Sequence, residues 1–349
     1  MTCTTPATDY GVTEEGNVYY GQGNTHVPVS QTGLLAGKKI DQLACNNTLM
    51  AGLDSLGDVY IWEIIPISIT KLSLPLAVGE KAISITSTFA SFSILTSAGR
   101  VFSTGQNNYG QFGNGSVDTT QSTRATDRIP NELKFPAALT GTKLKSIAGG
   151  ASGVVGITTD GKAIQWGLSD LGTATPLPRQ IYGAITDRTL VSAGAAQNSY
   201  LALDSKGMLY SWGSGLGLGL NSTGTTVYEP TLVNPFGSID KRPVAKLFSQ
   251  WAGPVFALLQ DGTLHTWGAS GAMGIDSLIV TRSPIPAATD MSGALQGKTI
   301  LNVFPGSYTS SAQIAEDEAL YWWGFGWFIN EPNVGRPTYS IGSQQLIPQ

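Results

Sequence analysis

The sequence predicts an all-β fold, a seven-bladed β-propeller of four-stranded antiparallel blades. Three observations predict it: a strand-turn-strand motif that recurs seven times, a further strand that recurs upstream of the motif, and a proline-led strand that recurs downstream. Repeats of this length are typical of propellers and related repeat architectures. The 349 residues are therefore predicted to form one domain in which each repeat is a blade.

The recurring motif is an apolar strand, a turn glycine, a second strand and an aromatic-glycine pair. Branched and aromatic residues bounded by Gly and Asp are typical of strands. An Asp shortly before the Gly suits a tight turn, because its carboxylate accepts a backbone N–H while Gly adopts a positive φ. Each copy is therefore predicted to be a β-hairpin. The copies are VTEEGNVYYG (12–21), LDSLGDVYIWE (53–63), LTSAGRVFSTG (95–105), ITTDGKAIQWG (157–167), LDSKGMLYSWG (203–213), LQDGTLHTWG (259–268) and IAEDEALYWWG (314–324). The first is one residue short, the third lacks the Trp, and the last has Glu318 in place of the turn Gly.

Two further strands are predicted to flank each hairpin. An upstream strand opens after a glycine, as in GKKI (37–40), and runs into small residues such as IAGG (147–150), which suit the crowded centre of a propeller. A downstream segment is led by proline, as in EPT (229–231). Proline lacks the N–H that a strand ladder requires, so this segment belongs at a sheet edge. The four strands together make a propeller blade.

These anchors give the limits of the repeats and the expected closure of the ring. The repeats span approximately 1–36, 37–78, 79–140, 141–186, 187–240, 241–296 and 297–336. A closing strand is predicted at 337–349, paired with the N-terminal blade, where it would hide the open sheet edges. Cys3 and Cys45 fall at matching positions of neighbouring repeats. Because adjacent blades are expected to lie farther apart than the roughly 7 Å that a disulfide spans, free thiols are favoured over a disulfide.

The most specific segment is GQNNYGQFGNG (105–115). It closely resembles the signature loop of the regulator of chromosome condensation repeat family, and fragments of that loop recur at 213–219 and 268–274. The resemblance covers essentially the whole chain and implies a seven-bladed propeller. Tryptophans recur at one position of the repeat and are expected to pack between blades: Trp62, Trp166, Trp212, Trp267 and Trp323.

The composition limits the classes of partner. Charged residues are 13% of the chain and the net charge is -4. The chain therefore lacks the basic surface with which proteins bind nucleic acid or anionic membranes. No run of about 18 apolar residues offers a membrane span. We expect another protein or self-assembly as the partner, with no nucleic acid and no membrane insertion.

The sequence offers no recognisable catalytic or metal-binding set. Its two histidines are His26, beside a proline-led strand, and His265, inside a hairpin, and each is expected to be structural. They do not supply a Ser-His-Asp arrangement. The glycines at 213–219 lack the Lys-Ser/Thr and the helix of a phosphate-binding loop. The chain is therefore predicted not to be an enzyme and to need no cofactor or metal.

Two loop features do not follow from the blade pattern. The 62-residue interval between Gly99 and Gly161 is the longest, and its extra length falls at 116–136. Exchange factors of the resembled family project a wedge from about this place, and a tolerated surface insertion is the alternative. The segment FGWF (325–328) carries large aromatics where the family's loop is Gly-rich and polar. It favours a binding patch, with packing onto the closing strand as the alternative.

Three Asn-X-Ser/Thr triplets begin at Asn46, Asn114 and Asn221. Such asparagines are glycosylated only in a secreted chain. The triplets, the few charges and the abundant Ser, Thr and Gly favour an extracellular or cell-surface location. Free cysteines and the Met1 start favour the cytoplasm instead. On balance the sequence slightly favours the extracellular or cell-surface location.

The predicted function is a non-catalytic protein-protein interaction or scaffold module that uses its propeller-face loops. The resemblance implies two alternatives: a guanine nucleotide exchange factor for a small GTPase, or a secreted inhibitor-like binding protein. The loops that follow the aromatic-glycine pairs differ most between repeats, and loops on a rigid scaffold commonly carry specificity. The predicted partner-binding residues are Tyr109, Phe112, Arg124, Arg128, Trp327 and Phe328.

Overall fold

The computed structural model describes residues 2–4, 9–12, 15–22, 25–29, 33–63, 68–119, 128–169, 172–221, 224, 226–269, 272–275, 282–292, 295–307, 309–316, 320–324 and 334–339. These residues form seven four-stranded antiparallel sheets, each built from four consecutive strands. The predicted all-β, seven-bladed architecture is confirmed. None of the described residues forms a helix that is long and apolar enough to cross a membrane.

Each blade has strands A to D in chain order, with A innermost. Blade 1 comprises β1 (Thr2–Thr4), β2 (Asp9–Val12), β3 (Val18–Gln22) and β4 (Thr25–Pro28). Blade 2 comprises β5 (Ile40–Cys45), β6 (Leu49–Asp54), β7 (Val59–Glu63) and β8 (Ile69–Leu72). Blade 3 comprises β9 (Ala82–Ser87), β10 (Ser91–Thr96), β11 (Val101–Gly105) and β12 (Asn131–Glu132). Blade 4 comprises β13 (Leu144–Gly149), β14 (Gly153–Thr158), β15 (Ala163–Leu168) and β16 (Ala174–Gln180).

The remaining blades follow the same order. Blade 5 comprises β17 (Leu190–Ala196), β18 (Ser199–Asp204), β19 (Leu209–Ser214) and β20 (Thr226–Leu232). Blade 6 comprises β21 (Val244–Phe248), β22 (Val255–Leu259), β23 (Leu264–Ala269) and β24 (Arg282–Ala288). Blade 7 comprises β25 (Ile300–Phe304), β26 (Thr309–Ile314), β27 (Leu320–Gly324) and β28 (Val334–Tyr339). Short 3-10 turns lie at Gly33–Leu35, Ala137–Leu139, Leu216–Leu218 and Gly237–Ile239.

The hydrophobic core lies between neighbouring blades. The five tryptophans of the repeat are fully buried, as predicted. One cluster joins Tyr10 and Val12 of blade 1 to Met50 and Trp62 of blade 2. Each blade therefore buries its apolar face only against its neighbours, as expected of a repeat architecture. Pro230 and Pro284 lie in outermost D strands, as the sequence predicted. The prolines at 176, 178 and 286 also lie in D strands.

The turn glycines do more than supply a positive φ. Gly99 has φ 77°, and its carbonyl oxygen accepts a 2.9 Å hydrogen bond from the N–H of Leu144, at the start of the next blade's A strand. A Cβ atom on Gly99 would lie 2.7 Å from Cβ of Lys143. The carboxylate of Asp54 accepts the N–H of Asp58 at 2.8 Å across the equivalent turn, as expected for a tight hairpin. The hairpin turns thus also join each blade to the next.

The closure of the ring differs from the prediction. Blade 1 takes all four of its strands from the first 28 residues, and β28 pairs with β27 in blade 7. Residues 337–339 therefore complete the seventh blade, and the predicted exchange into blade 1 is wrong for them. Residues 340–349 lie outside the described part of the chain. The first two strands have only three and four residues, too few to show a clear periodic pattern.

The cysteine prediction was also wrong. Cys45 is disulfide-bonded, and the sequence contains only one other cysteine, Cys3. The innermost strands β1 and β5 of blades 1 and 2 contact each other directly. Neighbouring innermost strands converge at the propeller axis, so they lie closer together than the outer strands of the blades do. The expected separation between adjacent blades therefore does not hold for these strands.

Candidate interaction face

The strand order gives the propeller two different faces. Because antiparallel strands alternate in direction, the A–B turns and the C–D loops lie at one end of every sheet. We call this end the loop face. The B–C turns and the D–A connections lie at the other end, which we call the hairpin face. Of the predicted partner-binding residues, Tyr109, Phe112 and Arg128 lie in described parts of the C–D loop of blade 3, and hence on the loop face.

Charge is divided unequally between the B–C turns of the hairpin face and the A–B turns of the loop face. Every B–C turn carries at least one charged residue, for example Asp54, Arg100, Asp160, Asp204 and Asp261. The described A–B turns of blades 2 to 7 carry no Asp, Glu, Lys, Arg or His; they are 46–48, 88–90, 150–152, 197–198, 249–254 and 305–307. A partner that approaches the described A–B turns of blades 2 to 7 therefore meets an uncharged surface.

The C–D loop of blade 3 is fixed by its own side chains. Asn107 is buried; its Oδ1 accepts the N–H of Phe112 at 2.9 Å, and its Nδ2 donates to the Ser116 carbonyl at 2.9 Å. Oε1 of Gln111 accepts the N–H of Tyr109 at 2.9 Å. The side chains of Asn107 and Gln111 therefore brace the backbone of their own loop through hydrogen bonds, which explains why the motif contains them.

The repeat tryptophans bond three of these C–D loops, and in one case a C strand, to the next blade. In four blades the indole Nε1 donates to the preceding blade. The bonds are Trp166 to the Gln111 carbonyl at 3.0 Å, Trp212 to Oε1 of Gln165 at 2.9 Å, Trp267 to the Gly217 carbonyl at 2.9 Å and Trp323 to the Ala272 carbonyl at 2.7 Å. The register of C–D pairing shifts at these tryptophans, and such bulges re-aim a side chain. The loop face is therefore held rigidly by the same residues that build the core.

The predicted partner-binding residues have different environments. Tyr109 is 42% exposed on the loop face, whereas Phe112 is 2% exposed and packs in the interior. We therefore do not retain Phe112 as a contact residue, since its ring is out of reach of a partner. Arg128 is half-buried. Arg124, Trp327 and Phe328 lie outside the described residues.

The three sequon asparagines also differ in accessibility. Asn46 is 1% exposed, and its Oδ1 accepts the backbone N–H groups of Thr48 and Leu49. Its amide is therefore out of reach of a glycosylating enzyme in the folded protein. Asn114 is half-buried and bonded to Ser116. Asn221 is exposed.

Sequence reasoning missed the centre of the loop face. There the A–B turns of blades 2 to 6 are joined by backbone hydrogen bonds, which run Asn47 N–H to Phe89 O, Phe89 N–H to Ala151 O, Ala151 N–H to Gln197 O and Gln197 N–H to Trp251 O. The indole Nε1 of Trp251 then donates to the carbonyl oxygen of Cys45 at 2.8 Å. Trp251 lies outside the repeat position, and the unusual length of its turn was the available signal.

One polar cluster on the hairpin face resembles a catalytic pair. Oγ of Ser238 lies 2.6 Å from Nδ1 of the buried His265, and Arg242 Nη2 lies 3.1 Å from its Nε2. Ser238 Oγ also donates to the Pro286 carbonyl at 3.0 Å. If the His265 proton lies on Nδ1, every hydrogen-bonding group of this network has a partner. The Arg242 guanidinium donates to Nε2, Nδ1–H donates to Oγ of Ser238, and the Ser238 hydroxyl donates to the Pro286 carbonyl.

The same network argues against a catalytic role. Burial, together with the smaller effect of the Arg242 charge, lowers the pKa of His265 to about 4, while Asp261 opposes this shift. A catalytic histidine needs a carboxylate behind it and a free hydroxyl in front; here a cation lies behind and the hydroxyl is already bonded. Among the described residues no group of three or more His, Cys, Asp or Glu is placed to hold a metal.

Comparisons with known proteins agree with the architecture. Residues 98–157 match the family model for the Regulator of chromosome condensation (RCC1) repeat. Protein pim1 of Schizosaccharomyces pombe is 23% identical over 60% of this chain and 42% of its own length. The chain thus spans less than half of that curated relative.

Two solved structures show the same fold. Human WBSCR16 gives a TM-score of 0.74 at 16% identity, covering 91% of this chain and 85% of its own. Prp20p of Saccharomyces cerevisiae gives 0.66 at 20% identity, covering 86% and 78%. The chain therefore carries an RCC1 repeat within an RCC1-like seven-bladed propeller.

Proposed function

We propose that this RCC1-like propeller is a non-catalytic interaction module that holds another protein on its loop face. The observation that carries the proposal is the Trp-to-loop bonding of successive blades, of which Trp166 to Gln111 is an example. Because these bonds fix the loops before binding, a partner loses little free energy in ordering them. Tyr109, exposed on the braced loop of blade 3, is the contact residue best supported by the structure.

Trp327, Phe328, Arg124 and Arg128 are retained as proposed contacts from the sequence. Aromatic and arginine side chains dominate the binding energy of many protein interfaces. In the sequence they follow the C strands of blades 3 and 7. These two blades lie on nearly opposite sides of a seven-bladed ring, so a partner that contacted both segments would reach across the loop face.

Affinity capture from the native source tests the proposal. The baits are the wild type, Tyr109→Ala, the Trp327→Ala/Phe328→Ala double variant and, as a matched control, Tyr182→Ala. Tyr182 is 60% exposed but lies in a D–A connection of the hairpin face. We expect one partner that the control retains and that the loop-face variants lose, with about 2 kcal/mol or more of binding lost in the double variant. Equal capture by all four folded baits would contradict the proposal.

Guanine nucleotide exchange on a small GTPase is the second candidate. It is favoured by the fold shared with Prp20p, a protein studied for its binding to Gsp1p and histones. The uncharged centre of the loop face and the net charge of -4 favour the interaction module instead. A fluorescent-GDP release assay on a panel of small GTPases separates the two: we expect no acceleration, and catalytic release by substoichiometric protein would establish the exchange activity.

A further inference from the structure

The mouth of the central channel on the loop face is a preformed aromatic surface. Phe89 is 46% exposed, and its ring meets that of Trp251 edge to face, with centroids 5.3 Å apart and planes at 87°. The indole N–H is already bonded to the Cys45 carbonyl. The backbone of both turns is held by the hydrogen-bond circuit of blades 2 to 6. The two rings are therefore immobilised before any ligand arrives.

Uncharged hydrogen-bonding side chains occupy the same turns. Asn47, Thr48, Gln197 and Asn198 are all exposed. Amides and hydroxyls each offer both donors and acceptors. Since the described A–B turns lack charged residues, a charged ligand would lose hydration here without gaining a counter-ion. The surface therefore suits a neutral ligand that carries many hydroxyl groups.

The channel beneath the turns is also hollow. The innermost strands enclose a cavity of about 310 Å³, whose wall includes Ala44, Ser87, Ala148, Gln250 and Pro305. This volume lies at the lower end of the range found for small-molecule sites. Its walls mix apolar groups with amides and hydroxyls, and so match the chemistry of the turns above.

We propose that the channel mouth at Phe89 and Trp251 is a binding site for a neutral carbohydrate chain. A pyranose ring has an apolar C–H face, which packs against an aromatic ring, and a hydroxyl edge, which pairs with amides. Proline-rich peptides instead dock into aromatic-lined grooves, and two rings crossed at 87° do not form parallel walls. This ligand is distinct from the protein partner proposed above, and the site does not depend on that partner.

Calorimetric titration of the full chain tests the site. The probes are cellohexaose and chitohexaose as neutral oligosaccharides, hexagalacturonate as an acidic one, and decaproline as a neutral peptide. We expect at least one neutral oligosaccharide to bind with the same affinity at low and high salt. Phe89→Ala should weaken this binding at least about tenfold, the loss expected when an anchoring aromatic is removed. Tyr182→Ala, which removes a more exposed ring from the opposite face, should leave it unchanged.

Several results would overturn the proposal. They are the absence of neutral oligosaccharide binding by the wild type, equal binding by Phe89→Ala, and preference for the acidic oligosaccharide. Binding of decaproline alone would identify a peptide site instead. Should Phe89→Ala fail to fold, Phe89→Leu keeps the apolar volume without the ring and carries the same expectation. Because these probes contain no protein partner, their failure leaves the interaction proposal standing.

Discussion

Trp251 in blade 6 bonds to the carbonyl oxygen of Cys45 in blade 2, 206 positions away in the sequence. With the turn-to-turn bonds from Asn47 to Trp251, this contact closes a hydrogen-bonded circuit through five blades that bypasses blades 7 and 1. Many rings are fastened by exchange of a terminal strand. Here five of the seven blades are joined independently of either terminus.

Trp251→Phe should therefore destabilise the fold without removing a core residue. The variant keeps an aromatic ring against Phe89 but loses the donor, so we expect about 1 kcal/mol less unfolding free energy, the usual value of one hydrogen bond. Urea denaturation measures it. Tyr182→Phe, which alters only an exposed hydroxyl, is the control and should change nothing. No effect of Trp251→Phe would show that the circuit is not needed for stability.

The repeat tryptophans should be far more costly to remove. Trp166 is fully buried, so Trp166→Ala leaves a cavity between blades 3 and 4 and should cost about 3 to 5 kcal/mol. Trp166→Phe fills most of the space while losing the bond to Gln111, and should cost less. If the two variants unfold at the same urea concentration, cavity formation is not the dominant effect.

Two glycines separate backbone strain from contact between blades. Gly99 and Gly141 both have positive φ, 77° and 82°. A Cβ on Gly99 would meet Lys143 at 2.7 Å, whereas one on Gly141 would meet nothing within 4 Å. Gly141→Ala should cost about 1 to 2 kcal/mol of strain, and Gly99→Ala distinctly more. Equal melting temperatures for the two variants would argue against the second role of the turn glycines.

Stability should fall on acidification because of His265. Burial lowers its pKa to about 4 in the folded protein, from about 6.5 in the unfolded chain. Between these values the unfolded state binds the extra proton, so stability is complete above pH 6.5 and declines as the pH falls towards 4. The loss is on the order of 3 kcal/mol at most. His265→Gln should flatten this part of the pH profile of unfolding free energy; an unchanged slope in His265→Gln would assign the titration elsewhere.

Reduction of the disulfide at Cys45 should lower the stability of the folded protein. A disulfide that closes a loop of this size typically contributes about 2 to 4 kcal/mol. Dithiothreitol should therefore lower the melting temperature of the wild type and leave that of Cys45→Ser unchanged. A wild-type protein that is indifferent to dithiothreitol would indicate a thiol that is already free.

The blade count was predictable because its signals are local and repeated. A turn glycine, a tryptophan and an outer proline each reflect a constraint within one blade, and their recurrence in most of the seven repeats makes the pattern clear. The centre of the loop face was not predictable in this way. Phe89 and Trp251 meet only because the ring brings blades 3 and 6 together, and neither residue occupies a repeat position.

The difference between local sequence signals and contacts made across the ring also explains which predictions were wrong. The Cys45 disulfide and the composition of blade 1 depend on how inner strands converge at the axis, which spacing along the chain does not reveal. Phe112 was predicted from a loop pattern that correctly places it on the loop face. Its burial follows from the way the loop folds around Asn107, whose side chain bonds the backbone of Phe112 itself.

Hydrogen-deuterium exchange of the protein, alone and with its captured partner, tests the central claim most directly. If the loop face is the interaction surface, protection on binding will be confined to the C–D loops and A–B turns, including the segment around Tyr109. The charged B–C turns around Asp54, Asp204 and Asp261 will exchange as they do in the free protein. Protection of those B–C turns, with unchanged exchange around Tyr109, would place the partner on the hairpin face and contradict the account.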